Sequence, residues 1–198
     1  MKHKIFYIAL STLSLFALAG CSNHSNSKPT AEKADTSKVT KIKKTKVPAE
    51  NAKPDKNAKN RTWTYKNNVY DAGIETYTFT KSEVRDSAEP GKKILVLYCN
   101  VRNNYTKEED PSNVYMVVHA NQKTSTSNVQ LAPAASTKLD DNGNDPLQKY
   151  IDNMQNKLLP GKTVKAVMMW TLKNDNPVKI TFQDPNFNEI GSKTYIVK

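Results

Sequence analysis

Val164-Lys165-Ala166-Val167-Met168-Met169-Trp170-Thr171-Leu172 decides the fold class, because its apolar residues recur at every second position. Val164, Ala166, Met168, Trp170 and Leu172 point one way, and Lys165, Val167, Met169 and Thr171 point the other. Strand side chains alternate between faces, so this spacing predicts a strand with one buried face. Val178, Ile180 and Phe182 repeat the pattern against Lys179, Thr181 and Gln183. Working outward, further strands are expected at 62–65, 69–80, 93–102, 114–121, 156–159 and 193–197. Turn chemistry separates them: Lys66-Asn67-Asn68, Pro90-Gly91, Asn103-Asn104, Pro160-Gly161, Asp175-Asn176-Pro177 and Gly191-Ser192. Seven to eight short strands with turns this frequent read as a mainly β domain over residues 61–198, an antiparallel sandwich. That length is ample for one core.

One helical signal interrupts the strands. Asp145 suits a cap, Pro146 the first helical position, and Gln148 the capping-box spacing; Leu147, Tyr150, Ile151 and Met154 then follow at helical intervals. A short helix over 146–154 is expected to cover one end or edge of the sandwich.

Chemistry-bearing residues are few. Cys99 lies in the apolar run Leu95-Val96-Leu97-Tyr98-Cys99-Asn100-Val101, which reads as a buried thiol acting as a small hydrophobe. His119 is the one histidine of residues 61–198, and alternation with Met116 and Val118 turns it outward. With no nucleophile-elbow sequence beside it, a hydrolytic triad is not expected, and the domain reads as no enzyme. Asp140-Asp141-Asn142-Gly143-Asn144-Asp145 is the metal-like string. Aligned on an EF-hand, it puts Lys138 and Lys149 where the terminal carboxylates belong, so a turn with a helix cap accounts for it better. No metal and no cofactor are expected. Tyr65, Tyr70, Tyr77, Tyr105, Tyr115 and Tyr150 form a stock of half-buried rings, a minority of them available for wet contacts. The loops Tyr105–Pro111 and Asn121–Leu139 are the longest candidates for binding, and the second, rich in Ser, Thr and Ala, reads as mobile.

Several short motifs carry a resemblance. Leu158-Leu159-Pro160-Gly161-Lys162-Thr163-Val164-Lys165-Ala166, then Trp170-Thr171-Leu172, Pro177-Val178-Lys179-Ile180 and Ile190-Gly191-Ser192-Lys193-Thr194-Tyr195, form one set. Val96-Leu97-Tyr98-Cys99-Asn100-Val101-Arg102-Asn103-Asn104 forms another. Together they are similar to the uncharacterised telokin-like, immunoglobulin-like domains of Gram-positive surface lipoproteins. The resemblance implies an Ig-like sandwich without an inter-sheet disulfide, and it brings no catalytic residues with it.

The first twenty residues read as an address. Met1-Lys2-His3-Lys4 is a basic start, and residues 5–18 are mostly apolar but too short to span a bilayer. Leu18-Ala19-Gly20-Cys21 resembles the lipobox of bacterial lipoproteins, which implies cleavage after Gly20 and a diacylglycerol on Cys21. Two acyl chains anchor stably where one holds marginally. The expected place is the extracellular face of the bacterial cell membrane.

Residues 21–60 then read as a lipidated cysteine and a disordered, Lys-rich tether. From Ser22 to Asn60 there are ten lysines and four acidic residues, a net +6 of the chain's +11. Too few apolar residues are present to offset the entropy of ordering. A nucleic-acid protein would set its charge on a folded face among aromatics, so no nucleic-acid partner is expected. Lys41, Lys43, Lys44 and Lys46 instead suit anionic lipid or wall polymer. Two functional classes follow. The first is a non-enzymatic binding module for an extracellular protein or sugar, its ligand-binding residues unknown from sequence. The second is a structural envelope lipoprotein acting through its basic tether.

Overall fold

The computed structural model describes residues 53–197. Cys21 and the tether lysines Lys41, Lys43, Lys44 and Lys46 lie outside the described residues. Nine strands and one helix follow in the order β1 (Thr64–Lys66), β2 (Val69–Asp71), β3 (Glu75–Asp86), β4 (Lys93–Asn103), β5 (Val118–Lys123), β6 (Asn128–Gln130), α1 (Gln148–Gln155), β7 (Thr163–Thr171), β8 (Val178–Gln183) and β9 (Glu189–Tyr195). They form two antiparallel sheets, one of five strands ordered β1-β2-β3-β4-β7 and one of four ordered β6-β5-β8-β9. This is the mainly β, two-sheet architecture that the alternation predicts, with the one short helix that the capping signals predict.

The inner faces share one core. Phe182 of β8, fully buried, sits under Tyr65 (ring centroids 3.8 Å apart), Tyr70 (5.4 Å) and Phe79 (5.4 Å) of the opposite sheet. The Tyr70 hydroxyl donates across to the Gln183 carbonyl at 2.7 Å, so even the buried phenol is satisfied. At the β9 edge a Cβ on Gly191 would stand 2.7 Å from Tyr65 Cδ1, which is why the smallest residue lies there.

Several expected elements take a different form. The run 69–80 is two strands, not one. Asp71 accepts from the Gly73 N–H at 2.9 Å, and Gly73 turns the chain at φ +74°. A Cβ there would stand 2.8 Å from the Ala58 carbonyl. Before it, Asn67 and Asn68 (φ 52° and 61°) make the two-residue turn that matches strand twist. The segment 114–121 becomes strand only from Val118, because Pro111–Met116 is a 3-10 turn capped by Asp110, which accepts from the Ser112 N–H. The segment 156–159 is no strand: Leu158 makes a single bridge to Glu109. Within Asn121–Leu139, β6 pairs with β5, and the following residues run along the β7 edge, with Ala134 N–H donating to Met169 and Thr171 N–H to Ala132.

Described residues of the stretch read as tether pack on the sandwich. Ala58 is fully buried and the Asp55 N–H donates to the Asn104 carbonyl at 2.7 Å.

The helix begins two residues later than its motif. Asp145 accepts from the Leu147 N–H but also binds Thr137, through its N–H (2.7 Å) and hydroxyl (2.6 Å). Gln148 reaches forward to Asp152 rather than back, so no capping box forms. The helix packs on the outer face of the five-stranded sheet. Leu147 and Ile151 cover Ile94, Val96, Val167 and Met169, making a second small core. The expectation of one buried face in β7 therefore fails at Val167 and Met169, whose solvent side the helix takes.

Candidate functional site

Beside that helix, the outer face of the five-stranded sheet holds a cleft of about 620 Å³. A one-residue irregularity decides what lines it. Before Thr80, the odd positions Tyr77 and Phe79 face the core; Phe79 registers with Cys99, but Lys81 registers with Tyr98. The extra residue is a bulge, and it flips every later side chain to the other face. Val84 consequently packs against the core, while Lys81, Glu83 and Arg85 stand outward. Tyr98, Asn100 and Lys165 of β4 and β7 share that face, and Pro146, Leu147 and Tyr150 wall the far side.

Glu83 organises the cations. It accepts from Arg85 at 3.0 Å and from the Tyr98 hydroxyl at 2.8 Å, and it pairs with Lys81. Burial works to raise this carboxyl, but the bonds from Lys81, Tyr98 and Arg85 outweigh it and hold it below the ordinary carboxylate value. The Lys81 ammonium lies 4.9 Å from the centre of the Tyr98 ring, and Tyr150 meets that ring edge-on at 5.7 Å. Burial, then the bond to Glu83, pushes the Tyr98 phenol up to about 12, so it remains a neutral donor. Three cationic side chains, Lys81, Arg85 and Lys165, thus line the cleft, and Glu83 pairs with the first two. With the Asn100 amide and two phenols beside them, these groups can bind an anion and orient it.

The residues singled out from sequence fall elsewhere. Cys99 is buried, its thiol directed to the Ala166 carbonyl at 3.7 Å, and burial raises it far above an ordinary thiol. Such a thiol is inert as a nucleophile. His119 lies half-buried on β5, its Nδ1 3.2 Å from the Gln130 amide. Asp140 accepts from the N–H groups of Asn142 and Asn144, and Gly143 has φ +80°, the turn expected of that string. Tyr70 and Tyr77 are core residues, and the hydroxyl of the half-buried Tyr115 accepts from the Met169 N–H. Of the tyrosines singled out, Tyr150 joins the cleft. Sequence reasoning does not single out Lys81, Glu83, Arg85 or Tyr98 as binding groups, although Lys81-Ser82-Glu83-Val84-Arg85 carries charge at every second residue.

No curated protein matches the chain by sequence. Two solved structures share its fold. One is a Staphylococcus aureus protein named "putative lipoprotein", with TM-score 0.56 and 14% identity, covering 68% of this chain and 92% of that one. The other, a protein from Enterococcus faecalis solved by NMR, has TM-score 0.51 and 15% identity over 69% of this chain and 94% of that one. At such identities the likeness is one of fold. A sequence family described as a domain of unknown function (DUF5067) matches residues 50–184, the body of the sandwich together with its lead-in. The chain belongs to that family.

Proposed function

We propose that this is a lipid-anchored protein of the outer bacterial surface whose sandwich, of Ig-like type, is a non-enzymatic module that binds an anionic envelope ligand. The cleft carries the reading: Lys81, Arg85 and Lys165 line it with Tyr98 and Tyr150, and Glu83 pairs with Lys81 and Arg85. Charge complementarity selects an anion, and the phenols and the Asn100 amide suit a hydroxylated one, such as a phosphodiester wall polymer. Support for the anchor comes from the lipobox-like Leu18-Ala19-Gly20-Cys21 and from the description of one fold neighbour as a lipoprotein. Among the described residues no helix is long and apolar enough to cross a membrane. Cys21→Ala is expected to shift the protein from the membrane pellet to the medium, or to leave it uncleaved, on fractionation. Unchanged retention of a cleaved chain overturns the anchor.

Binding is tested on the full-length protein with wall fragments that retain or lack their phosphodiester polymers. The triple variant Lys81→Ala/Arg85→Ala/Lys165→Ala should bind polymer-bearing fragments at least about tenfold more weakly at low salt, a loss of about 1.4 kcal/mol. Stripped fragments should bind neither protein well. Unchanged binding by the triple variant, with loss in Lys41→Gln/Lys43→Gln/Lys44→Gln/Lys46→Gln, would transfer the role to the tether. The net +6 of residues 22–60 is what favours that second reading.

A further inference from the structure

At the turn between β2 and β3, one buried carboxyl has no part in the cleft. We infer that Glu75 is a proton-controlled latch, which as the neutral acid helps hold the loop 105–117 against the five-stranded sheet and as the carboxylate loosens it. The geometry centres on the Tyr77 hydroxyl, 2.7 Å from Glu75 Oε2 and 2.8 Å from the Pro111 carbonyl oxygen. A phenol has one proton to donate, and the Pro111 carbonyl can only accept. Both contacts are hydrogen bonds in one protonation state alone. The Glu75 acid donates to Tyr77 Oη, and Tyr77 donates onward to Pro111. When Glu75 ionises, its charge captures the tyrosine proton as the stronger acceptor. The Pro111 carbonyl then faces an oxygen lone pair, and one of the bonds joining loop to sheet is lost, while Asn103 keeps the Lys107 carbonyl and Tyr115 keeps the Met169 N–H.

The surroundings oppose the charged form. Glu75 is 5% exposed, and its Oε1 has no hydrogen-bond partner among the described residues. Glu109 and Asp110 bear on it from the loop, both acidic, with Lys107 beside Glu109. From β4, its register partner Asn103 is neutral, with an amide already donating to the Lys107 and Leu158 carbonyls. Arg102 registers with Thr76, on the opposite face by strand alternation. Burial first, then Glu109 and Asp110, push the Glu75 carboxyl up to about 7 against the opposing bond from Tyr77. Because the folded value exceeds the unfolded one, the stabilisation is complete below about pH 4.5 and lost as pH climbs through about 7.

What the latch holds is a segment with its own cap and core contact: Asp110 accepts from the Ser112 N–H, and Pro111 and Val114 are buried. The first half of that loop, Tyr105–Pro111, is one of the two stretches that sequence marks for binding. Its closure is thereby coupled to the pH outside the membrane, independently of whether the cleft binds an anion.

The test is hydrogen exchange of the full-length protein from about pH 5.5 to about pH 8.5, each amide normalised to its intrinsic rate and to the β4 amides. Protection of 107–117 should fall about tenfold or more across that range in the wild type. In Glu75→Gln, whose neutral amide donates to Tyr77 at every pH, it should stay flat and high. Difference infrared spectra should show a protonated-carboxyl band in the wild type that titrates over the same range and is missing in E75Q. A flat wild-type profile, or an equal fall in E75Q, overturns the latch.

Discussion

Gln122→Leu should lower the stability of the domain by about 2–4 kcal/mol, read as a drop in the chemical-denaturation midpoint with an unchanged slope. Gln122 is fully buried at the end of β5 and uses its whole amide on the turn between β7 and β8. Its Nε2 donates to the carbonyls of Asn174 (2.8 Å) and Asn176 (2.6 Å), and its Oε1 accepts from the N–H groups of Lys173 (2.8 Å) and Asn174 (3.3 Å). Leucine fills most of the volume but strands four main-chain groups. Each net bond contributes about 1 kcal/mol, and part of the loss is recovered where the exposed turn takes up water. Gln122→Glu sharpens the test. The carboxylate keeps both acceptances but turns an oxygen toward two carbonyls, so its folded pKa must rise above the unfolded one. Its stability should then be lost as pH rises and regained toward acid, whereas the leucine variant shows no such recovery. Equal midpoints for Gln122→Leu and wild type would show that the turn holds itself.

Period-two alternation is a property of one strand with its core, and it was legible wherever one strand meets one core. Val178, Ile180 and Phe182 face inward as expected, and the turn at Asn67-Asn68 takes the left-handed conformation that asparagine tolerates. What escaped reading depends on a second element. Val167 and Met169 look half-exposed until α1 is placed over them. Thr80 is unremarkable until β4 is laid beside β3, where it proves to be the residue left out of register. The cleft was hidden for the same reason. The charges at Lys81, Glu83 and Arg85 alternate visibly, but before the bulge the odd positions face inward, so extending that frame would bury all three. Gln122 and Glu75 were missed because a polar residue in a strand is ordinarily on its wet face, and their partners lie far along the chain.

Trp170→Ala should produce the largest loss of the series, about 3–5 kcal/mol from the deleted apolar contacts and the cavity left behind. Trp170 is 1% exposed, meets Tyr115 edge-to-face at 5.6 Å, and bridges to Pro133 on the chain that covers the β7 edge. Domains of this size are stable by only about 5–15 kcal/mol, so the variant should unfold at markedly lower denaturant and sit near its midpoint when warmed. Met169 is the instructive neighbour, one residue away and on the opposite face, under α1. Met169→Ala removes a smaller, flexible side chain from the small core, where a single helix can settle onto the sheet and close part of the gap. The expected cost is at the low end of about 2–5 kcal/mol for such truncations. Hydrogen exchange separates the two cases. Trp170→Ala should raise exchange across both sheets together, because the residue belongs to the core they share, while Met169→Ala should raise it first in 148–155. If both variants loosened only the helix, the two sheets would not be one cooperative unit, and the packing of Phe182 against Tyr65, Tyr70 and Phe79 would have been given too much weight.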